Sequence, residues 1–306
     1  MSVEDSAIAL VEVAPPAAGL RSSRATWLGA LGVLAFSMSL PATRAAVPAL
    51  GAVPVGAGRA VVAAGLAGIW LWRGRARRPT RAQLRRLVIV ALGVVLGFPL
   101  LSSTALTVVG SAHGAVIVGL IPIGTALAAV YRAGERPGPA FWASSAVGAA
   151  AVLGFAWASG AGIQLADLLL LGAVAAAAIG YAEGGALARE MPGWQVIGWA
   201  LALALPVTVP VTVAALWWHP PVAPGPAGWL GFGYVSVVSM FLGFVPWYRG
   251  LALGGVARIG QLQLAQPVLT LIWSVLLLRE RIDATMMIAA AAVLVSTAAT
   301  QRVRWR

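Results

Sequence analysis

The sequence predicts an all-α integral membrane protein of ten transmembrane helices, built as two inverted-topology repeats of five. Three observations lead there. Hydrophobic residues fill 60% of the 306 positions and charged residues only 10%, a balance suited to lipid rather than water. Long apolar runs follow one another with short breaks of Arg, Pro and Gly, each close to the roughly 20 residues that span a bilayer. The chain also repeats itself at a constant offset of 145, from Leu106 to Leu251. LTVVGSAHGAVIVGLIPIGTALAAVYRAGER (Leu106 to Arg136) matches LALGGVARIGQLQLAQPVLTLIWSVLLLRER (Leu251 to Arg281) without a gap, pairing Gly110 with Gly255, Pro122 with Pro267, Thr125 with Thr270 and Glu135 with Glu280.

Taken in order, residues 1–26 read as a cytoplasmic tail, because they begin acidic (Glu4, Asp5) where a signal peptide begins basic. Apolar runs fall near 27–48, 55–72, 87–107, 112–131 and 140–158, forming a first repeat over 27–158. A second set near 166–187, 194–216, 227–248, 258–278 and 284–301 forms a repeat over 166–301, before a tail at 302–306. Pro41, Pro99, Pro122, Pro206, Pro210, Pro246 and Pro267 lie inside these runs. Prolines there are tolerated where neighbours or cavity water satisfy the freed carbonyls. With both ends placed in the cytoplasm, 17 arginines fall on that side, and only Arg44, Arg59, Arg279 and Arg281 fall outside. Five spans per repeat is an odd number, so the second copy enters the membrane inverted. Such duplicated units are typical of secondary transporters, whose site sits between the repeats.

Composition excludes several functions. All 21 basic residues are Arg, and Cys is absent. That removes the Walker A lysine, a Schiff-base lysine, disulfides and thiolate chemistry. A net charge of +12 would suggest nucleic acid in a soluble chain. Here the arginines cluster between apolar runs, and lipid headgroups account for them. No cofactor, metal or nucleic acid is expected. The expected partners are a small-molecule substrate and membrane lipid, with the chain a monomer or homodimer.

The ten spans, the five-plus-five repeat and the run FVPWYRGLALGGVARIGQLQLAQPVLTLIWSVLLLRERI (Phe244 to Ile282) resemble the drug/metabolite transporter superfamily, EamA type. The resemblance implies a basket-like bundle around a central cavity in the plasma (bacterial inner) membrane. It implies transport of amino acids or small metabolites, usually outward, with spans three, four, eight and nine walling the cavity. An uncoupled facilitator or an importer is the alternative. An intramembrane enzyme finds no nucleophile, metal or carboxylate-pair motif to support it.

Within that frame, Glu183 is the sharpest candidate. It lies in the sixth apolar run near the cytoplasmic end, where an ionisable group faces a cavity or a partner. It serves either as a proton carrier or as a structural latch to Arg249 or Arg258. Gly180 and Gly184 on the same helix suit close packing. Gln263 and Gln266 are helical neighbours. Pro267 frees the Gln263 carbonyl beside them, and together they suit a substrate amino or hydroxyl group; Gln261 is a weaker member.

His113 and Arg258 are repeat partners near helix starts, where a cation opposes the dipole and an anion would relieve it. Snorkelling to headgroups is the alternative. Tyr234, Ser236 and Ser239 in span eight, and Ser102 and Ser103 in span three, contact substrate or bond to their own helices. Trp247 and Tyr248 fit an interfacial belt better. Glu135 and Glu280 end spans four and nine, where a carboxylate opposes the dipole and calls for a specific partner, read as ion pairs that fix the loop. Pro122 and Pro267 are structural or gating positions.

Overall fold

A computed structural model describes residues 18–133, 138–158, 163–255 and 259–302. Seven helices are long and apolar enough to cross a membrane: Ser23–Leu50, Ala52–Arg73, Arg81–Ala105, Ser111–Ala128, Leu165–Leu187, Gly193–Trp218 and Pro226–Gly254. Three shorter apolar helices, Trp142–Phe155, Leu262–Leu278 and Ala284–Ser296, complete the set. In chain order these are spans one to ten. Side chains such as Leu31, Ile69, Leu92, Leu276 and Ile288 point outward from the bundle, as lipid-facing positions do. Trp72, Trp217 and Trp218 stand exposed at span ends, where amphipathic rings sit at the headgroup level.

The packing maps onto itself when the halves are exchanged. Span two packs against seven, five against ten, and four against nine. Span one packs against eight as six packs against three, and span four meets six as nine meets one. Each helix therefore finds a principal neighbour in the other half.

Prolines place matching irregularities in the two halves. Pro99 and Pro246 cannot donate to the carbonyls of Val95 and Leu242. Both carbonyls fall inside π-helical segments, Ala91–Gly97 in span three and Val235–Leu242 in span eight. Pro122 and Pro267 act likewise on spans four and nine. Span four breaks between Val118 and Ile121, and span nine passes through a 3-10 turn, Gln261–Leu264, before its α-helix begins at Ala265. Small residues let the helices cross closely. A Cβ on Gly93 would come within 2.4 Å of the Ala176 carbonyl oxygen, and one on Gly184 within 2.3 Å of the Tyr248 hydroxyl. Gly180 and Gly184 thus serve as packing faces for spans three and eight.

Candidate functional site

Span one is where the chamber begins. Its helix halts at Ser37 and restarts at Ser39, because Pro41 leaves the Ser37 carbonyl without its helical donor. Thr270 Oγ1 of span nine donates to that carbonyl at 2.7 Å, and Trp273 Nε1 donates to Ser37 Oγ at 3.0 Å. Tyr234 of span eight donates its hydroxyl to the Ala35 carbonyl at 2.9 Å. Ser39 Oγ and Ser239 Oγ lie 2.7 Å apart. The break in the first half is therefore stitched to two spans of the second.

Beside the break lies a narrow chamber in which the centre of a water molecule can visit about 20 Å³. The chamber is constricted in this conformation. Its walls come from spans one, two, three, six, eight and nine. Four aromatic rings line it, Phe36, Phe98, Tyr181 and Phe244. Phe36 and Tyr181 occupy equivalent positions in the two repeats and stack with centroids 6.1 Å apart and planes inclined by 23°. The polar lining consists of Ser39, Ser239, Gln266 and Arg59.

Arg59 departs furthest from expectation. Counted above as an outside arginine, it sits seven residues into span two and is 1% exposed, roughly 10 Å along the helix at 1.5 Å per residue. Its Nη2 donates to the Pro99 carbonyl at 3.0 Å and to Ser103 Oγ at 3.2 Å. Its Nε is buried with no acceptor. Among the described residues no carboxylate forms an ion pair with it. Sequence inspection had a signal for this: VPVGAGRAVVAAG sets one Arg among small and apolar residues with no acid nearby. Arg44, the other misplaced arginine, also lies within a helix and donates to the Leu106 carbonyl at 2.9 Å.

The remaining candidates divide between chamber and periphery. Gln266 and Ser239 line the chamber, and Ser103 reaches it through Arg59. Gln263 is 2% exposed, and neither its Oε1 nor its Nε2 has a partner. Ser102 and Ser236 bond to their own helices, at the Phe98 and Phe232 carbonyls. Trp247 and Tyr248 do not form an interfacial belt. They are fully buried, Trp247 beside Phe36 and Tyr181 and Tyr248 beside Phe244, because Gly184 and Gly193 leave room for Tyr248. Arg258 and Glu135 lie outside the described residues, as does the side chain of Gln261.

Charged residues hold the two ends of span six. At the end facing the arginine-rich segment Arg73–Arg86, Glu183 pairs with Arg86, which also pairs with Glu190. Arg249, the described residue of the two expected latch partners, is exposed. At the opposite end His113 Nε2 lies 2.6 Å from Asp167 Oδ1. Asp167 Oδ2 also accepts from the Gln164 amide at 2.9 Å, closing a capping box at the head of span six. The anion that His113 calls for at its helix start is thus Asp167. Its sequence signal was the Gln164-x-x-Asp167 spacing before an apolar run.

Glu280 meets its partner on span four rather than an arginine. Arg279 adopts the left-handed conformation (φ 54°), turning the chain so that Glu280 Oε1 accepts from the Ser111 amide and Ser111 Oγ, each at 2.9 Å. Oε2 accepts from the Ala112 amide at 2.7 Å. A carboxylate at a helix start satisfies otherwise orphaned donors and complements the dipole. Gly110 makes space for it, since a Cβ there would lie 3.0 Å from Oε2.

Comparison with known proteins places this architecture. A model of the EamA-like transporter family matches twice, over residues 23–157 and 164–300. YdeK of Bacillus subtilis (strain 168), described as an uncharacterized transporter, is 44% identical over 280 residues, covering 90% of this chain and 96% of YdeK. A crystal structure aligns with 93% of this chain and 100% of its own, with a TM-score of 0.65 at 19% identity, which bears on the fold alone. With the family's unit present in both halves and a transporter as a full-length relative, the chain belongs to the EamA-like transporter family.

Proposed function

We propose that the protein exports amino acids or related small metabolites by alternating access, with the chamber between the two halves as its substrate site. The observation that carries this reading is the chamber's position. Both repeats contribute walls, and the Ser39–Ser239 contact crosses the seam beside it. A site on the pseudo-symmetry axis is reached from either face when one half tilts against the other. The outward direction is the one implied by the family resemblance. The arginine-rich face is taken as cytoplasmic, and the burial of Arg59 inside span two leaves fewer arginines to oppose that orientation.

The Glu183–Arg86 ion pair and the His113–Asp167 contact at the ends of span six act as latches in this scheme. Glu183 does not line the chamber. A proton reaching Glu183 discharges it and leaves Arg86 held by Glu190 alone, which loosens the link between spans three and six and couples proton entry to opening of the arginine-rich mouth. This is how the carboxylate would serve proton coupling without contacting substrate.

The chain lacks cysteine, so introduced thiols are the only ones present. Ser39→Cys with Ser239→Cys places two thiols where the hydroxyl oxygens are 2.7 Å apart. In liposomes loaded with amino acids, oxidation should abolish counterflow of the labelled compounds and reductant should restore it. Full exchange with the disulfide formed would remove the chamber from the transport path. Proton coupling is tested in the same liposomes with a pH gradient. The gradient should stimulate wild type and leave Glu183→Gln unaffected; equal stimulation of both would remove Glu183 from coupling.

A further inference from the structure

We infer that Arg59 is the anion-binding residue of the chamber, and that the transported compounds carry one carboxylate on an apolar body. The inference rests on the chamber being the transport site. A guanidinium is charged at all physiological pH values, and one held in a low-dielectric interior is strongly disfavoured without a counterion. Arg59 has no such counterion among the described residues. What holds it, the Pro99 carbonyl and the Ser103 hydroxyl, is neutral and bonds only to Nη2. Nε–H is left without an acceptor. The fork is thus oriented by span three while donor capacity remains for an incoming oxyanion.

Other features of the chamber select among anions. Among the described residues, Arg59 is the only charged one in the lining. A phosphate dianion calls for more than one cation, whereas a single carboxylate matches a single guanidinium in charge and in fork geometry. The rest of the wall is mostly apolar, with Phe36, Phe98, Tyr181 and Phe244 around the space, and suits an aromatic or branched aliphatic body. Ser39, Ser239 and Gln266 offer neutral oxygens that can accept from an α-ammonium or α-hydroxyl group beside the carboxylate, but no carboxylate to pair a cationic side chain. The repeat counterpart of Arg59 is Ala204, which is 2% exposed. The chamber therefore has one charged end, and a bound carboxylate fixes the orientation of the substrate within it.

The test uses the full-length protein in liposomes and 3-phenylpropionate against its neutral isostere 3-phenylpropanamide, with labelled leucine and phenylalanine alongside. Wild type should exchange the carboxylates and be stabilised by them on heating, while the amide does neither. Arg59→Gln should weaken carboxylate exchange roughly thirtyfold or more, as loss of one partner of a buried charge pair does. Arg59→Lys keeps the charge without the fork, gives a second reading should Arg59→Gln fail to insert, and should weaken exchange about tenfold. Carboxylate exchange unchanged in either variant overturns the assignment of Arg59 and leaves the transporter reading standing. Equal exchange of amide and acid by wild type overturns the substrate class alone. Exchange of none of these compounds by wild type, with no shift on heating, overturns both the substrate class and the amino-acid reading on which it rests.

Discussion

The two halves of the molecule share a scaffold and differ in their charges. Spans three and eight carry π-helical segments at equivalent positions, and spans four and nine each depart from the α-helix just before the equivalent Pro122 and Pro267. Charge and proline at the site itself do not repeat. Pro41 breaks span one, while Ala186 leaves span six continuous over Leu165–Leu187. Arg59 faces Ala204 in the alignment of the halves, and Glu183 faces Met38. Duplication supplied a frame with two near-equivalent arrangements, and divergence of a few residues supplied its chemistry.

The sharpest way to break this comparison is to make the halves alike. Ala204→Arg puts a guanidinium at a buried position that does not line the chamber. It should cost about 4 kcal/mol or more through overpacking and charge burial, seen as failure to accumulate in the membrane. A well-folded, active Ala204→Arg protein would show that the chemistry is as symmetric as the frame.

Next comes Glu280→Ala, which removes the acceptor of three hydrogen bonds at the head of span four. Thermal unfolding in detergent should register a loss of about 3 kcal/mol. If the frame is symmetric, Glu135→Ala should lose a similar amount.

Glu183→Gln leaves Arg86 its second carboxylate, Glu190, so the stability loss should be only about 1–2 kcal/mol. A single thiol introduced by Ser39→Cys should at the same time react faster with a reagent applied from the arginine-rich side. Smallest is Gln263→Leu. Removing an amide that is buried and unpartnered should raise stability by about 1 kcal/mol, read as a higher midpoint of thermal unfolding.

Much of the frame was legible in the sequence because it is written in period and punctuation. Apolar runs marked all ten spans, and the aligned Pro122 and Pro267 stood inside the two that are interrupted. What escaped depended on neighbours distant in sequence. The π-helical segments carry no residue signal beyond a proline two or four positions later. Trp247 and Tyr248 resemble a belt until Gly184 and Gly193 are seen to make room beneath Tyr248. Arg59 was misread because proximity to a predicted loop outweighed the apolar residues on both sides of it. Glu280 was read as an ion-pair residue, and the backbone of another span that it meets instead leaves no mark in composition.

The carboxylate of Glu280 belongs to the second half of the chain and finishes a helix in the first. Together with the exchange of principal neighbours between the halves, this makes the molecule an interlocked pair rather than two domains side by side. Neither half is a self-sufficient folding unit. Each leaves helix faces uncovered, and the first leaves its span-four amides bare until the other arrives. The single chain has the internal logic of an antiparallel dimer whose subunits have become joined. Two half-chains cut within 159–164 and made together should therefore reassemble in the membrane, whereas either made alone should be degraded.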